Sequence, residues 1–557
     1  MVKAKTQNAK SIPSAFTLQA SHALKKTEWL AAAALTLLAL WLRWEMARHA
    51  GGLWRDEANT VGLATLPKLS EVWENLQFDS FPVFWLAVVR WLSQLGLHSD
   101  FHFRALGFFV GAAILGACWF NARRLKISLP FFSLLFLGLS PSVIRFGDSM
   151  RAYGWGVFWL LLTYGLIWSV VESATPRRVA AAAICAICAV HSIYYNAIIV
   201  FALCVAGMVV TLRRGRRKSA ALLLFIGIAA AISLLPYVRV IARAGDWNAL
   251  VQGTDLTFAW FFNKLVVALA PDALAITCVA SFCAALLGGF AWLFLLKPAT
   301  AAAPQKDLLI FSFIALPVGA VSYYAFLKLL NYPTQPWYYL ALIAFCAASF
   351  DAIFSVICAQ KVLRIFRWLL PALVGGLILW PVLEKVRERV TNIDLIAAEL
   401  NHSATEKDYI LLDPWYTSVS FNRYYSGRAE WTTVPPLGFY RFHRYDLFKE
   451  KMMATDQMAP ILPALQRISQ TLQSGNRVWL IGGFRSMETN QPPPLLAPAP
   501  AKLSPGYSDE IYSDEWGFCV NYLLAKHGAK IEAVPIAVNG NVNSDEDPLL
   551  ISIRGWK

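Results

Sequence analysis

What most constrains this chain is a succession of apolar runs, each roughly 17 to 25 residues long and nearly free of charge, the length that crosses about 30 Å of hydrocarbon as a helix. They fall near 28–48, 103–121, 128–145, 152–171, 179–193, 195–212, 219–238, 272–296, 308–330, 337–358 and 365–383. About eleven spans are therefore expected. Composition agrees, because 57% of the 557 residues are hydrophobic and only 15% are charged, whereas a soluble domain is about a quarter charged. The expected fold class is a polytopic α-helical membrane protein.

A net charge of +15 raises the possibility of nucleic-acid binding, but the basic residues sit in short clusters between apolar runs, as in Arg213-Arg214-Gly215-Arg216-Arg217-Lys218. Such clusters mark cytoplasmic loops, so no nucleic-acid partner is expected. The Lys-rich start precedes an apolar run too long for a signal-peptide core, with no small-residue cleavage site after it. Residues 1–27 thus read as a cytoplasmic segment before an uncleaved first span. Of nine cysteines, only Cys519 lies outside the apolar runs, and the Cys185/Cys188 pair lacks partners for a metal site.

With the N-terminus inside, every loop expected inside is basic: Arg123/Arg124/Lys126, Arg177/Arg178, the 213–218 cluster, Lys297/Lys306 and Lys361/Arg364/Arg367. The loops expected outside differ. Loop 49–102 is long and aromatic, 239–271 carries Asp246 and Asp255, and 331–336 is uncharged. The membrane domain is read as 28–383, and an odd span count puts 384–557 on the outer side. Strand-like Tyr409–Asp413 and Arg477–Ile481 flank a helical stretch near 456–474, the pattern of a small α/β domain. Gly482-Gly483 follows a strand without the spacing of a nucleotide-binding loop.

Ionisable groups in a membrane protein are costly and concentrate where function needs them. Three segments on the expected outer face are rich in them. The first holds Arg55-Asp56-Glu57 and Asp79-Ser80-Phe81-Pro82; the second runs Ser140-Pro141 to Asp148 and Arg151-Ala152-Tyr153; the third combines Arg239 and Arg243 with Tyr332 and Trp337. A lone Arg-Asp pair is more often a solvated salt bridge, interfacial Trp54 and Trp337 are usually anchors, and His191 reads as a structural histidine. Convergence on one face is what favours a site. There a carboxylate can act as general base, arginine forks can neutralise a phosphate leaving group, and aromatic rings can stack on a sugar or prenyl chain.

These motifs resemble the GT-C superfamily of integral membrane glycosyltransferases, in the branch of protein O-mannosyltransferases, the lipid A aminoarabinose transferase and bacterial galacturonosyltransferases. The resemblance lies in Asp56-Glu57 soon after the first span, in Asp79-Ser80-Phe81-Pro82, and in Ser140-Pro141 followed by Arg151-Ala152-Tyr153, over roughly residues 28–340. Two departures are that Phe81-Pro82 replaces a double proline, and that Ser149, with Asp148 adjacent, stands where an acidic residue is usual.

The resemblance implies inverting transfer of a sugar from a polyprenyl-phosphate donor to an envelope lipid, glycan or protein acceptor such as lipid A. The site would lie on the outer face of a bacterial cytoplasmic membrane. By position, Asp56 would be the base, with Arg55 in support. Glu57 and Asp79 would orient acceptor or sugar, Asp148 would take the acidic role beside Arg151 and Tyr153, and Arg151 with Arg239 or Arg243 would hold phosphate. No metal-ligand set is readable, so no cofactor is expected. Two alternatives are a polysaccharide polymerase or ligase taking a lipid diphosphate, and a lipid-glycan transporter or flippase. Against the transporter, no internal repeat is visible and the polar groups gather at one face.

Overall fold

The computed structural model describes residues 15–247, 256–296, 303–330, 334–359, 361–484, 493–502 and 507–557. Tyr332 lies outside them. Among the described residues, nine helices of at least 18 residues are apolar enough to cross a membrane, from Lys25–His49 to Leu363–Val386. This is a multi-pass membrane protein.

The two remaining runs of the expected eleven are shorter helices. The 179–193 run forms the 17-residue helix Pro176–Ser192. The 128–145 run is broken into Phe131–Gly138 and Pro141–Gly147. Pro141 has no N–H to continue the first piece, and Ser140 restarts the chain by accepting the Val143 amide on its hydroxyl at 3.4 Å. The break bends the following loop into the bundle. At Gly107 a Cβ would stand 1.9 Å from the Asp148 carbonyl, and at Gly154 one would stand 1.8 Å from the Gly147 carbonyl. Only glycine permits that approach. Arg43 of the first helix, fully buried, pairs with Asp148 and donates to the Leu137 carbonyl at 2.7 Å.

The tail beyond Val386 holds one five-stranded sheet built from β1 (Tyr409–Asp413), β2 (Glu430–Thr433), β3 (Arg477–Gly482), β4 (Gly528–Val534) and β5 (Leu549–Trp556). Its order is β2-β1-β3-β5-β4, with β2, β1 and β3 parallel and β5 antiparallel to both β3 and β4. β1 and β3 read as continuous apolar runs because both sheet faces are covered. Leu411, Val478 and Leu480 join the Leu462–Gln473 and Asp509–His527 helices in one core, whereas Ile410, Leu412 and Trp479 pack on Ile393–Ser403.

Chain leaving the carboxyl ends of β1 and β2 rests on the first loop. The Leu53 amide donates to the Tyr424 hydroxyl at 2.6 Å, the Ser420 hydroxyl donates to the Leu53 carbonyl at 3.1 Å, and Arg423 pairs with Asp100 at 2.7 Å. First loop and tail must therefore share one side of the membrane. Cysteines placed at exposed Lys68 and Glu430 are expected to react with an impermeant maleimide from the same side, and one at exposed Arg216 from the other. Labelling of 68 and 430 from opposite sides refutes the topology.

Candidate functional site

The acidic triplet forms the first turn of the helix Arg55–Ala64. Successive side chains on a helix point about 100° apart, so the three face three directions.

Glu57 points inward and is fully buried. It accepts both arms of Arg104 at 2.7 and 3.0 Å, the Met150 amide at 2.9 Å and the Trp54 amide at 3.3 Å. Four donors occupy the acceptor positions of one carboxylate. Arg104 also donates to the carbonyls of Gly51 at 3.3 Å and Gly52 at 2.6 Å.

Asp56 faces the second cluster. There Asp79 accepts from Arg151 at 2.9 Å, the Thr60 hydroxyl at 3.1 Å and the Ser80 amide at 2.7 Å. Arg151 donates in addition to Thr60 at 2.8 Å and to the Asp56 carbonyl at 3.3 Å, and lies 4.5 Å over the Phe81 ring, against which Tyr153 packs edge-on. Burial opposes charge on the Arg151 guanidinium, but Asp79 and Asp56 outweigh it and hold its pKa above the ordinary arginine value. The Asp56 carboxylate itself, 24% exposed, has Arg55 Nε at 4.0 Å and accepts no hydrogen bond among the described residues.

Arg55 turns toward the tail. It pairs with Glu546 at 3.1 Å and lies 4.0 Å over the Tyr416 ring. Burial pushes the Glu546 carboxyl up to about 7, with Arg55 opposing and Asp56 adding to the rise.

A cleft of about 890 Å3 opens beside this turn, between bundle and tail, lined by Trp54, Arg55, Glu57 and Glu546 among others. Its cationic side carries Arg145, Lys264 and Lys385. Glu388 pairs with Arg145 at 3.5 Å and Lys385 at 2.9 Å, Lys264 lies 4.9 Å over the Trp260 ring, and Arg145 Nη2 is buried without a hydrogen-bond partner among the described residues. Arg145 also feels Glu57, Glu546 and Asp545 across the cleft. An aromatic wall joins Trp54, Phe146 and Trp337, with ring centres 4.8 to 6.5 Å apart. Glu510 and Asp545 line the tail side.

The structure therefore gathers Arg55, Asp56, Glu57, Asp79, Arg151 and Tyr153 around one helix turn. Asp148 sits apart in its pair with Arg43, because the loop after Pro141–Gly147 turns it toward the first helix. Arg239 and Arg243 are exposed on the helix Val238–Trp247, and the carboxylate cluster is completed without them. Sequence reading missed Arg104, Arg145, Tyr416, His443 and Glu546. Arg104 carried a signal, as an arginine inside an apolar run; the tail residues carried none, since their role depends on how the tail docks. Among the described residues no group of three His, Cys, Asp or Glu side chains converges to hold a metal.

No protein-family model matches the chain, and no curated protein matches it. Among solved structures it is similar to the Archaeoglobus fulgidus oligosaccharyltransferase crystallised with Zn and sulfate, at 12% identity over 81% of this chain and 68% of that one, TM-score 0.44. A second similar structure is the Archaeoglobus fulgidus oligosaccharyltransferase AglB in complex with an inhibitory peptide and a dolichol-phosphate, at 12% identity over 82% and 69%, TM-score 0.42. A third holds the enzyme tethered to an acceptor peptide, at 11% identity over 93% and 74%, TM-score 0.43. Likeness of this size leaves function to be argued from the residues themselves.

Two measurements test the site's construction. Replacing Arg104 by Met leaves the Glu57 carboxylate buried without its cation and is expected to destabilise the protein by about 3–5 kcal/mol, read as a fall in unfolding temperature in detergent. A variant as stable as wild type would show that the pair does not anchor the turn. The second concerns His443, whose amide donates to Asn59 at 2.7 Å and whose imidazole burial pushes down to about 4, against the pull of Asp56. An unfolded histidine takes its proton near 6.5, so between 6.5 and 4 the unfolded chain holds more protons and stability falls on acidification. From near pH 7.5 to near pH 5 the loss is expected to be about 2 kcal/mol, and His443→Gln should remove that share of the pH dependence. An unchanged dependence in the variant would be the contrary result.

Proposed function

We propose that the chain is a membrane glycosyltransferase that moves a sugar from a polyprenyl-phosphate donor to a nucleophile on an envelope acceptor. Its site would lie on the outer face of the cytoplasmic membrane, with Asp56 as general base. The observation that carries this reading is the division of labour among three neighbouring carboxylates. Glu57 is saturated by four donors and Asp79 by three, whereas Asp56 is partly exposed and accepts no hydrogen bond among the described residues. A base must have a lone pair free to take a proton.

In this mechanism the acceptor O–H proton passes to Asp56 as its oxygen attacks the anomeric carbon. The bond from that carbon to the phosphate oxygen breaks on the opposite face, which inverts the centre. The leaving phosphate carries negative charge, and Arg145, Lys264 and Lys385 on the cleft wall are the cations that would meet it. Arg151, tied to Asp79, positions the turn that bears Asp56. The aromatic wall of Trp54, Phe146 and Trp337 offers faces for a sugar or the first prenyl units. A lipid-phosphate sugar is already activated, so positioning, one base and charge neutralisation suffice.

Purified Asp56→Asn is expected to lose about 10²- to 10⁴-fold in turnover from a polyprenyl-phosphate sugar while keeping its unfolding temperature. Turnover near wild type in a folded Asp56→Asn protein excludes Asp56 as the base.

A further inference from the structure

The span Arg217–Asp246 is two helices joined by the turn Leu235–Tyr237. The first, Arg217–Ile232, has 16 residues and covers about 24 Å, short of the roughly 30 Å of hydrocarbon. The turn makes up the difference, so the second helix, Val238–Trp247, starts where the hydrocarbon ends. A Trp–Tyr pair marks the same level. The rings of Trp73, from the first loop, and Tyr237 have centres 5.1 Å apart, and such rings gather at the headgroup boundary.

Exposed Leu224, Ile228, Ile232, Leu235, Val238 and Ile241 recur every three or four residues. One apolar stripe therefore runs out of the span and onto the second helix, facing lipid. Beside its last members stand Arg239 and Arg243, both exposed and one helical turn apart. Neither makes an ion pair among the described residues. Asp246, the one acid of this helix, lies a further turn toward the water, where its carbonyl accepts from Lys449 of the tail at 3.1 Å. At headgroup depth this helix thus offers two guanidinium groups and no carboxylate.

The placement matters for the acidic loop. The helix Val238–Trp247 packs on Leu76–Phe78, the turn that leads into Asp79, and on the tail helix Tyr445–Met452.

We propose that Arg239 and Arg243 clamp the phosphate of an anionic phospholipid in the outer leaflet, with its acyl chains along the stripe from Ile241 down to Leu224. Residues four apart on a helix stand about 5–6 Å apart at Cβ, so two guanidinium forks can share one phosphodiester through charge-assisted hydrogen bonds. A zwitterionic lipid offers the same phosphate, but its own ammonium competes for it. The bound lipid braces the approach to Asp79 and the tail from the membrane side. This site is separate from the cleft and stands whether or not the cleft transfers a sugar.

The test uses the full chain in lipid nanodiscs doped with phosphatidylglycerol bearing a photoreactive diazirine on its headgroup, with adducts mapped by peptide mass spectrometry. The expected result is an adduct on the peptide holding Val238–Trp247, about tenfold weaker in the double variant Arg239→Gln/Arg243→Gln. Adducts on the basic loop 213–218 are expected to stay unchanged and serve as the internal control. Because both arginines are exposed, the variant is expected to keep its unfolding temperature. Excess unlabelled phosphatidylglycerol should suppress the adduct, and phosphatidylcholine should not. The proposal is overturned if the control loop labels and this peptide does not, if the adduct survives in the double variant, or if phosphatidylcholine suppresses it equally well. Suppression by polyprenyl phosphate at lower concentration than by phosphatidylglycerol would assign the arginines to a lipid monophosphate and overturn the phospholipid.

Discussion

The Glu57–Arg104 pair is the interaction on which the arrangement at this end of the bundle depends. Removing a carboxylate and a guanidinium from water is costly, and the cost is offset only when geometry is complete and every remaining position is filled. Here it is: Glu57 collects four donors, and Arg104 also holds the carbonyls of Gly51 and Gly52. The pair ties the start of the Arg55–Ala64 helix to the helix Asp100–Arg124 and to the loop at Met150. Once Glu57 is fixed inward, helical geometry alone sends Asp56 toward Arg151 and Arg55 toward the tail.

Much of the membrane architecture was legible because the bilayer imposes one length on its helices, so composition and run length suffice to find them. Two runs escaped that rule for a local reason. A proline inside 128–145 splits it, and 179–193 forms a helix of only 17 residues. In the tail, β1 and β3 were visible as apolar runs, but β2 and β4 are edge strands, and β5 takes its place beside β3, a partner distant in sequence.

The first-loop residues of the site were legible for a similar reason, since charge beside a membrane span stands out against its surroundings. Their roles were not. Asp56, Glu57 and Asp79 are chemically alike, and only their hydrogen bonds distinguish a saturated carboxylate from an open one. Arg239 and Arg243 show the converse: charge at the right depth in the sequence, on a helix that leaves both exposed. Glu546, from the other end of the chain, reaches Arg55 through the docking of the tail, which no local pattern encodes.

That docking is close. The Arg441 carbonyl lies where a side chain on Gly62 would otherwise stand, its guanidinium donates to the Gly62 carbonyl at 3.2 Å, and Phe442 stacks on Phe78. The order of synthesis gives this contact a meaning of its own. The loop that bears the acidic turn leaves the ribosome well before the tail, yet the groups that enclose it belong to the tail. A nascent chain of this kind carries its acidic turn in an unfinished setting until the tail has been made and has folded against it, so folding of the tail and assembly of this turn's surroundings are one event.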